Sequence, residues 1–160
     1  MATHRRQFIA EMTLSAWNAY KQHAWGNATL RPLSLKSPME EDMWGDLGPG
    51  SGETIIGSLS TLLLMNLSEP VREGLAWAVN DTAFNLSTLN RPSLLFEKHV
   101  AGQLGGLLSA YALLTANITG AAAAAQEATT TEAIFRRAAE YGAKLKDAYR
   151  DTGKTVVQLL

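Results

Sequence analysis

Ile55-Ile56-Gly57-Ser58-Leu59-Ser60-Thr61-Leu62-Leu63-Leu64-Met65-Asn66-Leu67 is apolar at nearly every second or third position, with no charge. A run of this kind is compatible with a buried strand or a buried helix. Its length and its leucines select helix, because buried strands usually end within about eight residues. That choice decides the fold class, since no other segment reads convincingly as a strand.

Working outward from this run, Ser68 is placed to cap a following helix that has Pro70 in its first turn. Leu75, Ala76, Trp77 and Val79 form the apolar side of that helix. On the other flank, Arg31 to Gly52 is polar and irregular, with Pro32, Pro38, Pro49, Gly45, Gly48, Gly50 and Gly52. A loop this long favours a functional or edge role. Ahead of it lies an amphipathic helix with Thr3 as N-cap and Gly26 as its end. Phe8, Met12, Ala16 and Tyr20 recur every four residues on its apolar face, flanked by Ile9 and Trp17.

Downstream, an Asn/Ser/Thr-rich loop from Asn80 to Ser93 leads into a long apolar helix, Leu94 to Thr115. Gly102, Gly105 and Gly106 lie inside it. A glycine costs about 1 kcal/mol in a helix interior, so these point to close helix packing or to a nearby ligand, with packing the leading reading. Residues 116–130 form a low-complexity insert, Ala-rich and then Thr-rich. Thr131 is placed to cap a last amphipathic helix, closed by Gly153. Ile134, Phe135, Ala138, Tyr141, Leu145 and Tyr149 form its buried stripe, and Arg136, Arg137, Lys144 and Lys146 its polar positions. The expectation is all-α: five helices in hairpin-like pairs, with inner and outer layers.

The 160 residues are 46% hydrophobic and 18% charged, with a net charge of −1, which is a globular balance. No basic excess points to nucleic acid. No apolar run is long enough to span a bilayer, and the N-terminus leads into no signal-peptide core. With no cysteine, the chain has no disulfide and no thiolate metal site. Asn27, Asn66, Asn80, Asn85 and Asn117 each stand in Asn-x-Ser/Thr form, where random placement gives about one, and the excess points to a glycosylated, lumenal protein.

Three segments carry a resemblance. Ser15-Ala16-Trp17-Asn18-Ala19-Tyr20-Lys21-Gln22-His23-Ala24-Trp25-Gly26, continuing to Leu30-Arg31-Pro32, resembles the opening motif of the class I α-1,2-mannosidases, glycoside hydrolase family 47. Thr54-Ile55-Ile56-Gly57-Ser58-Leu59-Ser60-Thr61-Leu62 resembles that family's Thr-x-Val-Asp-x-Leu-Asp-Thr-Leu. Phe96-Glu97, followed by Gly105-Gly106-Leu107-Leu108-Ser109-Ala110-Tyr111, resembles its Phe-Glu-x-x-Ile-Arg-x-x-Gly-Gly-Leu-Leu-Ser-Ala-Tyr. The order and spacing agree over almost the whole chain.

The resemblance implies the N-terminal part of one (αα)7-barrel catalytic domain, incomplete within residues 1–160. It implies a lumenal enzyme of the endoplasmic reticulum or Golgi that trims α-1,2-mannose from high-mannose N-glycans with inversion, aided by a calcium ion. It makes Glu97 an acidic catalytic residue, the general-acid candidate. Inverting hydrolysis needs an acid and a base about 6.5–9.5 Å apart on opposite sides of the sugar. The family's other carboxylates and its calcium-binding Thr are expected beyond residue 160, and a membrane anchor before residue 1.

Within the chain, Glu40, Glu41, Asp42 and Asp46 read as a solvated loop face. His4, His23 and His99 show no metal-ligand spacing, and His99 reads as packing or surface. The chain departs from the family pattern at polar positions. Gly57 and Ser60 replace two Asp, Ala101 replaces an Arg, and Ala28-Thr29 stand where an acidic pair is expected. One extra residue sits between Phe96-Glu97 and Gly105-Gly106, a shift of about 100° on a helix unless absorbed near Gly102. These losses motivate a second reading, a non-catalytic glycan-binding or interaction module on the same fold. A third is a structural helical domain with accidental motifs.

Overall fold

The computed structural model describes residues 2–37, 47–80, 98–116 and 128–152, and the statements that follow concern those residues. They form five α-helices: α1, Ala2–Ala24; α2, Glu53–Leu64; α3, Ser68–Val79; α4, Gly105–Ala116; and α5, Ala128–Thr152. A π-helical segment, Lys98–Leu104, runs directly into α4. Among the described residues the only β-type pairing is an isolated bridge between Arg31 and Lys36. The all-α reading therefore holds for this part of the chain.

The apolar run that selected helix is the centre of the core. Ile55, Ile56, Leu59, Leu62 and Leu63 of α2 are completely buried. They pack with Val71, Leu75 and Trp77 of α3, Leu107, Ala110 and Leu114 of α4, and Ile134, Ala138, Tyr141 and Leu145 of α5. Fully burying an aliphatic side chain contributes about 1.5–3 kcal/mol, so this cluster carries most of the driving force for the fold. Gly106 lets α4 come close to α2, since a Cβ there would lie 2.9 Å from the Ile56 carbonyl oxygen. The close-packing reading of the α4 glycines is thus right at Gly106.

The start of α2 is locked to the end of α1. Gly52 sits at the N-cap with φ 58°, a left-handed conformation that disfavours any side chain. The Trp77 indole lies over it, so that an added Cβ would come within 2.0 Å of the ring, and the same ring lies 3.1 Å from a Cβ built on Gly26. The Gly52 N–H donates to the Gly26 carbonyl at 3.0 Å, and the Thr54 N–H and hydroxyl both donate to the Ala28 carbonyl at 3.0 and 2.7 Å. Farther back, Trp17 donates from Nε1 to Glu73 at 3.1 Å, and Lys21 pairs with the same carboxylate, fastening α1 to α3.

Several expectations change. Phe8, Ile9 and Met12 are 56%, 51% and 58% exposed, and Ala16 is exposed too. Of that four-residue stripe only Tyr20 is buried, with Trp17 beside it. Phe8 and Met12 lie about 180° and 140° round the helix from Trp17, so they cannot dock while Trp17 does. Ser68 is the first residue of α3, whose N-cap is Leu67 with no side-chain cap, and Ala76 is exposed. α5 begins at Ala128, inside the stretch assigned to the insert, so Thr131 falls within its first turn. Phe135 is 44% exposed, against Tyr111. Arg137, read as a polar position, is only 4% exposed and pairs with Glu140 at 3.2 Å. Its register on α5 places it on the side of Ile134, Ala138 and Tyr141.

Candidate functional site

The helix that follows Glu97 does not continue as an ordinary α-helix. Lys98–Leu104 is π-helical, a winding that takes up more residues per turn than an α-helix. The extra residue between Phe96-Glu97 and Gly105-Gly106 falls in this segment, which therefore provides the local absorption expected near Gly102. Beyond it, Leu107, Ala110 and Leu114 keep their places in the core.

The π-helical segment presents two polar side chains to the interior. His99 is 6% exposed and Gln103 1%. His99 Nδ1 lies 2.5 Å from the Tyr141 hydroxyl, joining the segment to α5. Gln103 donates from Nε2 to the Ser51 carbonyl at 2.9 Å, joining it to the start of α2. The Gln103 Oε1 atom is buried and accepts no hydrogen bond among the described residues. Ser51 itself donates to the Gly48 carbonyl at 2.8 Å, and the Leu47 N–H donates to Glu53 at 3.3 Å. A polar joint thus sits where the π-helical segment, α5 and the approach to α2 meet.

Burial pushes the Tyr141 hydroxyl well above the usual phenol range, and the negative charge of Glu53 adds to the effect. Tyr20 is raised in the same direction, first by burial, opposed by a backbone hydrogen bond at Gly26 and reinforced by Glu53. Tyr20 donates to the Asn27 carbonyl at 2.6 Å. Both phenols stay neutral through the physiological range and hold their hydrogen bonds.

The candidate residues are distributed unevenly. Glu97 lies outside the described residues, as do Glu40, Glu41, Asp42, Asp46, Asn85 and Asn117. Gly57 is exposed on α2, with nothing within 4 Å of an added Cβ. Ser60, one turn on, is half-buried and shares that helix. Ala101 is exposed on the π-helical segment, between the buried His99 and Gln103. Gly57 and Ala101 thus have room for a longer polar side chain. Asn27 is half-buried, while Asn66 and Asn80 are exposed. Among the described residues no group of three or more His, Cys, Asp or Glu side chains is arranged to hold a metal ion, so none is assigned to calcium. None of their helices is long and apolar enough to cross a membrane.

The sequence reading missed the joint itself. It treated His99 as packing or surface and did not single out Gln103, Ser51, Glu53 or Tyr141 as a polar set. The only signal for it was the extra residue before Gly105, which marked this segment as irregular.

On this helical framework the chain carries Phe96-Glu97 ahead of Gly105-Gly106-Leu107-Leu108-Ser109-Ala110-Tyr111, the motif of one glycosidase class. The chain belongs to glycosyl hydrolase family 47, which it matches over residues 12–159. It is 38% identical over 146 residues to human mannosyl-oligosaccharide 1,2-alpha-mannosidase IC, a match covering 91% of this chain and 19% of the relative. It is 34% identical over 146 residues to mannosyl-oligosaccharide 1,2-alpha-mannosidase IA of Sus scrofa, covering 91% of this chain and 18% of that protein. The Drosophila melanogaster enzyme named mannosyl-oligosaccharide alpha-1,2-mannosidase IA is 37% identical over 108 residues, 68% of this chain and 15% of its own length. The chain spans about a fifth of the length of the curated relatives it matches most fully. No solved structure matches it.

Proposed function

We propose that this chain forms the first helical hairpins of an (αα)7-barrel mannosyl-oligosaccharide 1,2-α-mannosidase domain, acting on terminal α-1,2-mannose of high-mannose N-glycans in the endoplasmic reticulum or Golgi lumen. The observation that carries the reading is the family match over residues 12–159, which includes Phe96-Glu97. The relatives reported above bear that activity in their names. In this reading Glu97 is the general acid. It protonates the glycosidic oxygen as the bond to the anomeric carbon breaks, while a base on the other side directs water to that carbon with inversion. The base and the calcium ligand come from the rest of the domain, and residues 1–160 alone are catalytically incomplete.

The test uses α-1,2-linked mannobiose. The 160-residue chain alone should release no mannose. A full-length family 47 domain carrying this segment should release it only while Glu97 is present, and Glu97→Gln should abolish release. Glu97-dependent release by the 160-residue chain alone would overturn the incompleteness claim.

A second reading, glycan binding without hydrolysis, is favoured by Gly57, Ser60 and Ala101, uncharged residues where the motifs expect charged ones, Gly57 and Ala101 with space for them. Loss of an Arg also removes bidentate hydrogen bonding to a polar ligand. Retained mannose-glycan binding by a full-length domain that stays inactive with Glu97 intact would favour it over the first.

A further inference from the structure

The turn between α2 and α3 carries Asn66-Leu67-Ser68. It is closed by backbone groups alone: the Asn66 N–H donates to the Leu63 carbonyl and the Leu67 N–H to the Leu62 carbonyl, each at 3.0 Å. This is the hydrogen-bond pair of a helix end that requires a left-handed residue, and Asn66 supplies it with φ 59°. The left-handed turn accounts for an asparagine at this position. It does not account for Ser68. The α3 N-cap is Leu67, and no side chain caps the helix. Among the described residues, an exposed carboxamide and an exposed hydroxyl two residues later therefore have no structural use.

The contrast with Asn27 is physical. Asn27 is half-buried between two buried residues, Gly26 and Ala28. Its carbonyl accepts from Tyr20, and the carbonyls on either side accept from Gly52 and Thr54. A bulky hydrophilic oligosaccharide is accommodated far more readily on an exposed turn than at such a junction.

We propose that Asn66 is an acceptor of an N-linked oligosaccharide, a proposal that rests on the lumenal location inferred above. The reaction takes a lipid-pyrophosphate-linked oligosaccharide as donor. The Asn66 carboxamide nitrogen bonds to the anomeric carbon of the first sugar, and the bond from that carbon to the pyrophosphate oxygen breaks. The lipid pyrophosphate leaves with the electron pair, and the amide gives up one proton. A hydrophilic chain rooted here stands two residues from Leu64, which is 61% exposed, and shields that side chain from association.

The experiment translates the full 160-residue chain behind a cleavable leader in the presence of microsomes and reads the mobility shift removed by peptide N-glycosidase. Asn66→Gly, which keeps the left-handed turn, should remove one glycan-sized step. Ser68→Ala should remove the same step with Asn66 in place, and Ser68→Thr should retain it. Wild-type mobility in both Asn66→Gly and Ser68→Ala, or no enzyme-sensitive shift at all, would overturn the proposal. The leader forces entry into the lumen, so either result counts against the acceptor site and not against the location. The location is tested apart from this, by protease protection of the chain in cells.

Discussion

The start of α2 and its outward face lie about a turn and a half apart, and they are built under opposite constraints. At the start, Gly52 is left-handed, covered by Trp77 and hydrogen-bonded to Gly26. On the face, Gly57 has open space where its Cβ would be. Of the family motifs, Gly26 is kept at that junction, although the fully buried Ala28 beside it stands where an acidic residue is expected. Gly57 and Ala101 depart from the motifs at exposed positions, where packing would not object to the charged residues expected there. A buried junction, where substitution is sterically limited, thus contrasts with an exposed face, where it is not.

The sharpest way to break that comparison is at Gly52. Gly52→Ala forces both a left-handed alanine and a clash with the Trp77 ring, and should cost about 3 kcal/mol or more, read from urea denaturation. A loss below ~0.5 kcal/mol would mean the junction is not constrained as described. At the seam, Ile56→Ala should cost about 2–5 kcal/mol through the cavity it leaves. Phe8→Ser and Met12→Ser, on the uncovered side of α1, should change stability by less than ~0.5 kcal/mol.

The polar joint should show itself at high pH. A phenol whose folded pKa is raised keeps its proton after the unfolded chain has lost its own. Its contribution is intact below the ordinary value of 10.0 and is lost as the pH climbs above it. The denaturation midpoint should therefore fall above about pH 10, and Tyr20→Phe with Tyr141→Phe should flatten that fall. At neutral pH, Tyr141→Phe should cost about 1–3 kcal/mol by removing the buried hydroxyl that meets His99 Nδ1. On the open face the sign reverses: Gly57→Ala should stabilise by roughly 0.5–1 kcal/mol, as for an exposed helical glycine with room for a methyl. A destabilising Gly57→Ala would mean that the face is covered.

These elements also show what was legible beforehand. The α2 run was readable because its thirteen residues carry no charge and are dominated by Ile and Leu. The last helix was readable through Ile134, Ala138, Tyr141 and Leu145. The α1 face was not, because spacing tells which residues share a side of a helix and not which side docks. Phe8 and Met12 share a side, yet Trp17 and Tyr20 decided the orientation by their size and by the Glu73 contact. Arg137 was misplaced because a buried guanidinium depends on what α5 packs against. The His99–Tyr141 and Gln103–Ser51 pairs join residues 42 and 52 positions apart, which no local pattern encodes. Glu97, outside the described residues, rests on its motif alone.

The most direct measurement replaces the matching 146-residue segment of the human relative with this chain's and follows mannose release from α-1,2-linked mannobiose. The account predicts a folded chimera that releases mannose, though weakly, as it stands. It should gain activity when Gly57→Asp, Ser60→Asp and Ala101→Arg are introduced together, and lose that gain with Glu97→Gln. A chimera that folds but stays inactive with all three charges restored, or whose activity ignores Glu97→Gln, would contradict it.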